Sequence, residues 1–134
     1  MLRTAALSVS SQSSMNIEIE NYWELLALHK SLMAVKFDQN SCLREAQGSP
    51  YTGSLAFKVF AQLVAASNEQ QAANWIKWQE ADYSRIETQL LQKHIKESEW
   101  WADSDQSQKE KYVRDFMAPL ILNEQIFNEI TKNC

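Results

Sequence analysis

From Tyr22 onward, apolar residues return at steps of three and four: Tyr22, Leu25, Leu26, Leu32 and Met33, then Leu55, Val59, Phe60, Leu63 and Val64, then Tyr112, Val113, Phe116, Leu120, Phe127 and Ile130. That step belongs to an amphipathic α-helix with one face turned to a core. Residues that interrupt helices are scarce. The chain of 134 residues has two glycines and two prolines, and three of these four lie between Gly48 and Gly53. The pattern therefore predicts an all-α fold, a single four-helix bundle-like domain with one long third helix and a Pro-kinked fourth helix.

The boundaries follow from capping and turn chemistry. Asn16 can cap the first helix, with Glu18 and Glu20 in its first turn, where carboxylates complement the helix dipole. This helix runs to about Phe37. Asp38 to Gly53 reads as a loop, because Asp-Gln-Asn-Ser and the Gly/Pro cluster offer turns and little periodicity. The second helix starts near Thr52 or Ser54 and ends around Ser67. Ser67 or Asn68, with Gln70 or Gln71 three positions on, resembles a capping box for the third helix.

With no Gly or Pro before Pro119, the third helix can continue to about Glu99, a length of about 48 Å against roughly 30 Å for the first. It therefore either overhangs its neighbours or breaks near Asp82 to Ser84. A turn follows at Ala102 to Asp105. Ser107 with Glu110 is a further capping signal, and Pro119 inside the last stripe removes a backbone donor, so a kink is expected there.

Composition narrows the class. Hydrophobic residues make up 45% of the chain, including five Trp, five Phe and four Tyr, enough to fill the core of one ordinary domain. The formal charge is −4 with both signs interspersed. Nucleic-acid binding needs clustered Lys and Arg, so none is expected. No apolar run approaches the ~20 residues of a membrane span, so no membrane association is expected either. Two cysteines, Cys42 and the final Cys134, are too few for a disulfide framework and read as free thiols in a reducing, cytoplasmic setting. Residues 1–15 are Ser-rich, with Arg3 as the only charge, and read as a disordered leader preceding a helical domain over 16–134, with Met15 an alternative start.

Candidate chemistry is sparse. His29 follows Leu25 and Leu26 by four and three residues, and His94 follows Leu90 and Leu91 likewise, so both point inward. Glu87 lies one face-repeat before His94, and Glu97 three residues after it. Together these four could form a pocket, or a metal or acid/base site. Bundle metal centres, however, use Glu-x-x-His on two helices, a spacing this chain lacks. No metal or cofactor is expected, and the plainer reading is a pair of core histidines. Tyr83 and Cys42 are more remote enzymatic candidates.

The tryptophans say more. Trp23 and Trp75 fit buried stripes. Trp78 shares a continuous helical face with Gln71, Asn74, Asp82, Arg85 and Gln89, and adjacent Trp100 and Trp101 cannot both point inward. Exposed indoles favour contact surfaces, so Trp78, Asp82, Arg85, Trp100 and Trp101 are the candidate interface. The function expected is a small acidic binding or interaction module for a protein partner or a second copy, with room for an apolar ligand between helices. The alternative is an enzyme or metal-binding protein using His29, His94, Glu87 and Glu97.

Overall fold

The computed structural model describes residues 14–40 and 43–132, and these are mostly helical. The described residues form seven helices: α1 (Tyr22–Lys36), α2 (Arg44–Gln47), α3 (Pro50–Ala65), α4 (Glu69–Gln79), α5 (Ile86–Glu97), α6 (Gln106–Met117) and α7 (Glu124–Lys132). Two dipeptides, β1 (Glu80–Ala81) and β2 (Ile121–Leu122), pair in parallel, Glu80 opposite Ile121 and Ala81 opposite Leu122. None of the helices is long and apolar enough to cross a membrane. The expected leader lies, for its first thirteen residues, outside the described residues.

Helix α1 starts later than expected. Asn21, not Asn16, is the cap: its side chain accepts the Glu24 N–H at 2.9 Å. Residues 14–20 stay outside the helix and exposed, where an added turn would find no surface to pack on. The region expected to be loop holds the short α2, whose buried Gln47 donates to the Asp38 carbonyl at 2.9 Å. Helix α3 begins at Pro50, where a missing N–H costs nothing, behind a Ser49 cap. Gly53 is therefore helical. A Cβ there would stand 2.5 Å from the Asp115 carbonyl oxygen, so this glycine allows α3 and α6 to touch backbone to backbone.

The long third helix is two helices. The Asn68–Gln71 capping box opens α4 as expected, but α4 stops at Gln79. Arg85 organises the break without any Gly or Pro: its guanidinium donates to the carbonyls of Trp78 and Glu80 and pairs with Glu87 at 3.0 Å. Asp82 accepts from the Ser84 N–H at 3.0 Å and tightens the turn.

The kinked fourth helix is likewise two helices. The α6 cap is Asp105, boxed with Gln108, and not Ser107. At the other end Ala118 precedes the proline and adopts the extended conformation that position favours, so the chain leaves the helix instead of bending through it. The buried Gln79 side chain donates to the Pro119 carbonyl at 2.8 Å, tying both breaks together beside the β1–β2 pair.

Two apolar clusters result. Leu25, Val59 and Leu63 join α1 to α3, with Tyr22, Leu26, Leu28, Leu32 and Trp75 packed against them. Leu90, Leu91, Trp101, Val113, Phe116, Met117, Leu120, Ile126 and Ile130 join α5, α6 and α7. Helix α3 lies along α1 and also against α6, linking the two halves.

Candidate functional site

A sizeable cleft follows from the close approach of α3 to α6 and from the departure of the chain after Met117. Gly53 keeps the start of α3 against the Asp115 backbone. Beyond that contact Phe57 and Lys58 of α3 line one side and Val113 and Met117 of α6 another, while the chain turns at Ala118–Pro119, where the Leu120 N–H donates to the Met117 carbonyl at 2.7 Å, and Glu124 and Phe127 of α7 complete the lining. The cleft encloses about 530 Å³. Its lining is largely apolar, drawn from Phe57, Val113, Met117, Leu120, Leu122 and Phe127 among others, and its peptide bond Ala118–Pro119 is cis.

The charges sit on its walls. Lys58 comes from α3, Arg114 and Asp115 from α6, and Glu124 from α7. Asp115 is held by Lys111 at 2.7 Å, and the Arg114 guanidinium lies 4.9 Å from the centre of the Phe127 ring. Val113, Leu120 and Phe127 read in the sequence as core stripe, and none of the lining residues reads there as a site. The available signals were Gly53, read as the end of a loop but helical in the structure, and Pro119 inside an apolar stripe, which together mark a close backbone approach and a helix end.

A second cavity, about 270 Å³, lies between α2 and the ends of α5 and α6. Here the structure does gather expected residues: His94 and Glu97 line it with Arg44, Trp100 and Tyr112. Arg44 and Glu97 are hydrogen-bonded, which holds the Glu97 carboxyl below the usual range. Burial, helped by the Arg44 charge, lowers the pKa of His94. Burial pushes the Tyr112 hydroxyl up to about 12. The site thus holds an uncharged imidazole and a protonated phenol near neutral pH.

The remaining candidates disperse. His29 is buried in the other half of the molecule, its ring 5.2 Å from Trp75, 5.3 Å from Trp78 and 5.9 Å from Phe60, whereas His94 packs on Phe116 at 5.1 Å. Burial, then the charge of Lys30, lowers the pKa of His29. The His29 Nδ1 has no hydrogen-bond partner among the described residues. Glu87 belongs to Arg85. The two histidines therefore do not build a common pocket with Glu87. No group of three or more His, Cys, Asp and Glu able to hold a metal occurs among the described residues.

The tryptophan expectations need correction in three places. Trp23 is 72% exposed, not buried, since it stands about 200° around α1 from Leu25. Trp101 is buried at 4% exposure under its own chain, with Lys109 Nζ 5.4 Å from the ring centre. It cannot contribute to an exposed contact. Trp78 is half-buried among His29, Phe60 and Trp75, with the Arg85 guanidinium 4.9 Å from its ring centre. The polar face assigned to it assumed that the helix ran on through Asp82 and Arg85, and the break at Gln79 removes that face. Trp100, 43% exposed, rests edge-on against Tyr112 at 4.7 Å. A shallow groove of about 350 Å³ does remain beside Tyr22, Gln71, Asn74, Trp75 and Trp78. No family model matches the chain, and neither does any curated protein or solved structure.

Proposed function

We propose that this chain is a small binding module whose cleft between α3, α6 and residues 118–122 receives a small hydrophobic ligand. One observation carries the reading: a cavity of about 530 Å³ with an apolar lining and charged residues confined to a few positions. Ligand sites combine that size, about 300–1,000 Å³, with that sparse polar trim. The lining also comes from rigid elements, since α3 and α6 are locked at Gly53, so the cavity does not depend on a ligand to form. Lys58 at the wall suits an acidic group on the occupant.

The test uses an anionic apolar fluorophore, 8-anilinonaphthalene-1-sulfonate, with the folded protein at neutral pH. Saturable binding at one site is expected, lost in Ser54→Trp, where an indole from an exposed position on α3 would fill the cleft. Lys58→Glu is expected to weaken binding about ten-fold through charge reversal alone. Equal binding by the protein and Ser54→Trp would remove the proposal.

A second reading, catalysis, is favoured by one observation: His94, Glu97, Arg44 and Tyr112 share one cavity. An uncharged histidine beside a carboxylate can act as a general base. Arg44 is already committed to Glu97, however, and the cavity is about half the volume of the apolar cleft. Binding therefore remains the leading reading.

A further inference from the structure

The segment before α1 carries a pattern that neither cavity uses. Residues 14–20 have no helical or strand pairing and are exposed throughout, and their side chains alternate: Met15, Ile17 and Ile19 against Asn16, Glu18 and Glu20. Met15 is 95% and Ile17 85% exposed, and Ile19, nearer α1, 38%. Period two is the signature of a strand with one apolar face, and among the described residues this one has no strand partner, its Glu20 N–H alone being held, by the Glu24 carboxylate at 2.8 Å.

We propose that residues 15–19 pair antiparallel with the same residues of a second copy of this chain, with Ile17 opposite Ile17 on the two-fold axis. The register follows from side-chain chemistry. Centred on Ile17, the pairing sets Met15 against Ile19 twice and Ile17 against itself, so every apolar residue faces an apolar one. On the other face it sets Glu18 against Asn16 and Glu20 against Ser14, so no carboxylate stands opposite another. Centring on Glu18 opposes Glu18 to itself, and centring on Ile19 opposes Glu18 to Glu20. A parallel in-register pair stacks both glutamates. Directly opposed like charges destabilise a ladder, whereas β-branched pairs support it.

A two-stranded ribbon alone is marginal in water, so its apolar face needs a floor. The start of α1 supplies one. Trp23 follows the segment and is exposed, and the groove beside Tyr22, Trp75 and Trp78 opens at the same end of the molecule. The partner is thus a second copy because the segment is complementary to itself, and an isologous contact closes at two. This surface is independent of the apolar cleft, and either can fail without the other.

Sedimentation velocity at about 100 μM protein, well above a micromolar dissociation constant, tests it. A dimer is expected, and Ile17→Asp is expected to return it to monomer with an unchanged helical circular dichroism spectrum. The register is read by cysteine cross-linking in a Cys42→Ser, Cys134→Ser background. Ile17→Cys is expected to form the disulfide-linked dimer about ten-fold faster than Glu18→Cys, because only residue 17 meets its own copy across the axis. A monomer at that concentration, a dimer indifferent to Ile17→Asp, or equal cross-linking at the two positions would each overturn the proposal.

Discussion

Lys36 and Gly53 meet the same atom. The Asp115 carbonyl would normally accept the N–H four residues on, but that residue is Pro119, which has none to give. Lys36, fully buried at the end of α1, donates its Nζ to this oxygen at 2.8 Å, and Gly53 leaves room beside it. Gly53→Ala gains helix propensity, yet it drives a methyl into backbone, so a net loss of about 1–3 kcal/mol in urea unfolding is expected.

Burial lowers the Lys36 pKa to about 8, against the opposing pull of Asp115. Between pH 8 and 10 the unfolded chain therefore keeps a proton that the folded chain has released, and stability rises with pH by up to about 3 kcal/mol. Above pH 10 the unfolded Tyr112 ionises before the folded one, so stability falls again. On the acid side the unfolded chain protonates His29 and His94 first, so stability falls as pH drops below about 6.5. Unfolding midpoints across this range check the profile, and Lys36→Met should flatten the alkaline rise. An undiminished rise in that variant would assign it elsewhere. None of this was legible in the sequence, where Lys36 closes a stripe like any solvated lysine.

At the scale of elements, what was legible was what short-range chemistry determines. Pro119 reads in the sequence as a kink inside one helix and not as its end, but the apolar stripes of α1, α3, α5, α6 and α7 and the Asn68 capping box all follow from neighbours within a few residues. The break between α4 and α5 does not. Its agents are Arg85, reaching back to carbonyls of the preceding helix, and Gln79, reaching to Pro119 forty residues away. The sequence offered a break near Asp82 to Ser84 as the alternative to an overhanging helix, and the structure takes that alternative; reading Trp78, Asp82 and Arg85 as one face set it aside because the turn residues carry no Gly or Pro. Arg85→Ala should therefore cost about 2–3 kcal/mol through unsatisfied carbonyls and the loss of the Glu87 pair. Arg85→Lys should restore little, since one ammonium cannot match the planar fork. Thermal unfolding of the two variants measures both.

For the whole molecule, the two apolar clusters meet through α3, and the main cavity opens beside that junction. Its walls come from two stretches far apart in the chain, residues 53–58 and 113–127, so no local pattern could announce it. The sequence did announce the smaller site in part: the His94–Glu97 spacing places both on one cavity, while Arg44 and Tyr112 arrive from elements that only folding brings near. Function then turns on which concavity is used. The most direct measurement is amide chemical-shift mapping by NMR while the same anionic fluorophore is added to the ¹⁵N-labelled protein. The shifts are expected to concentrate on residues 53–58, 113–122 and 124–127. Shifts confined to the surroundings of Arg44, His94 and Tyr112, or to the Tyr22–Trp78 groove, would contradict the proposed function.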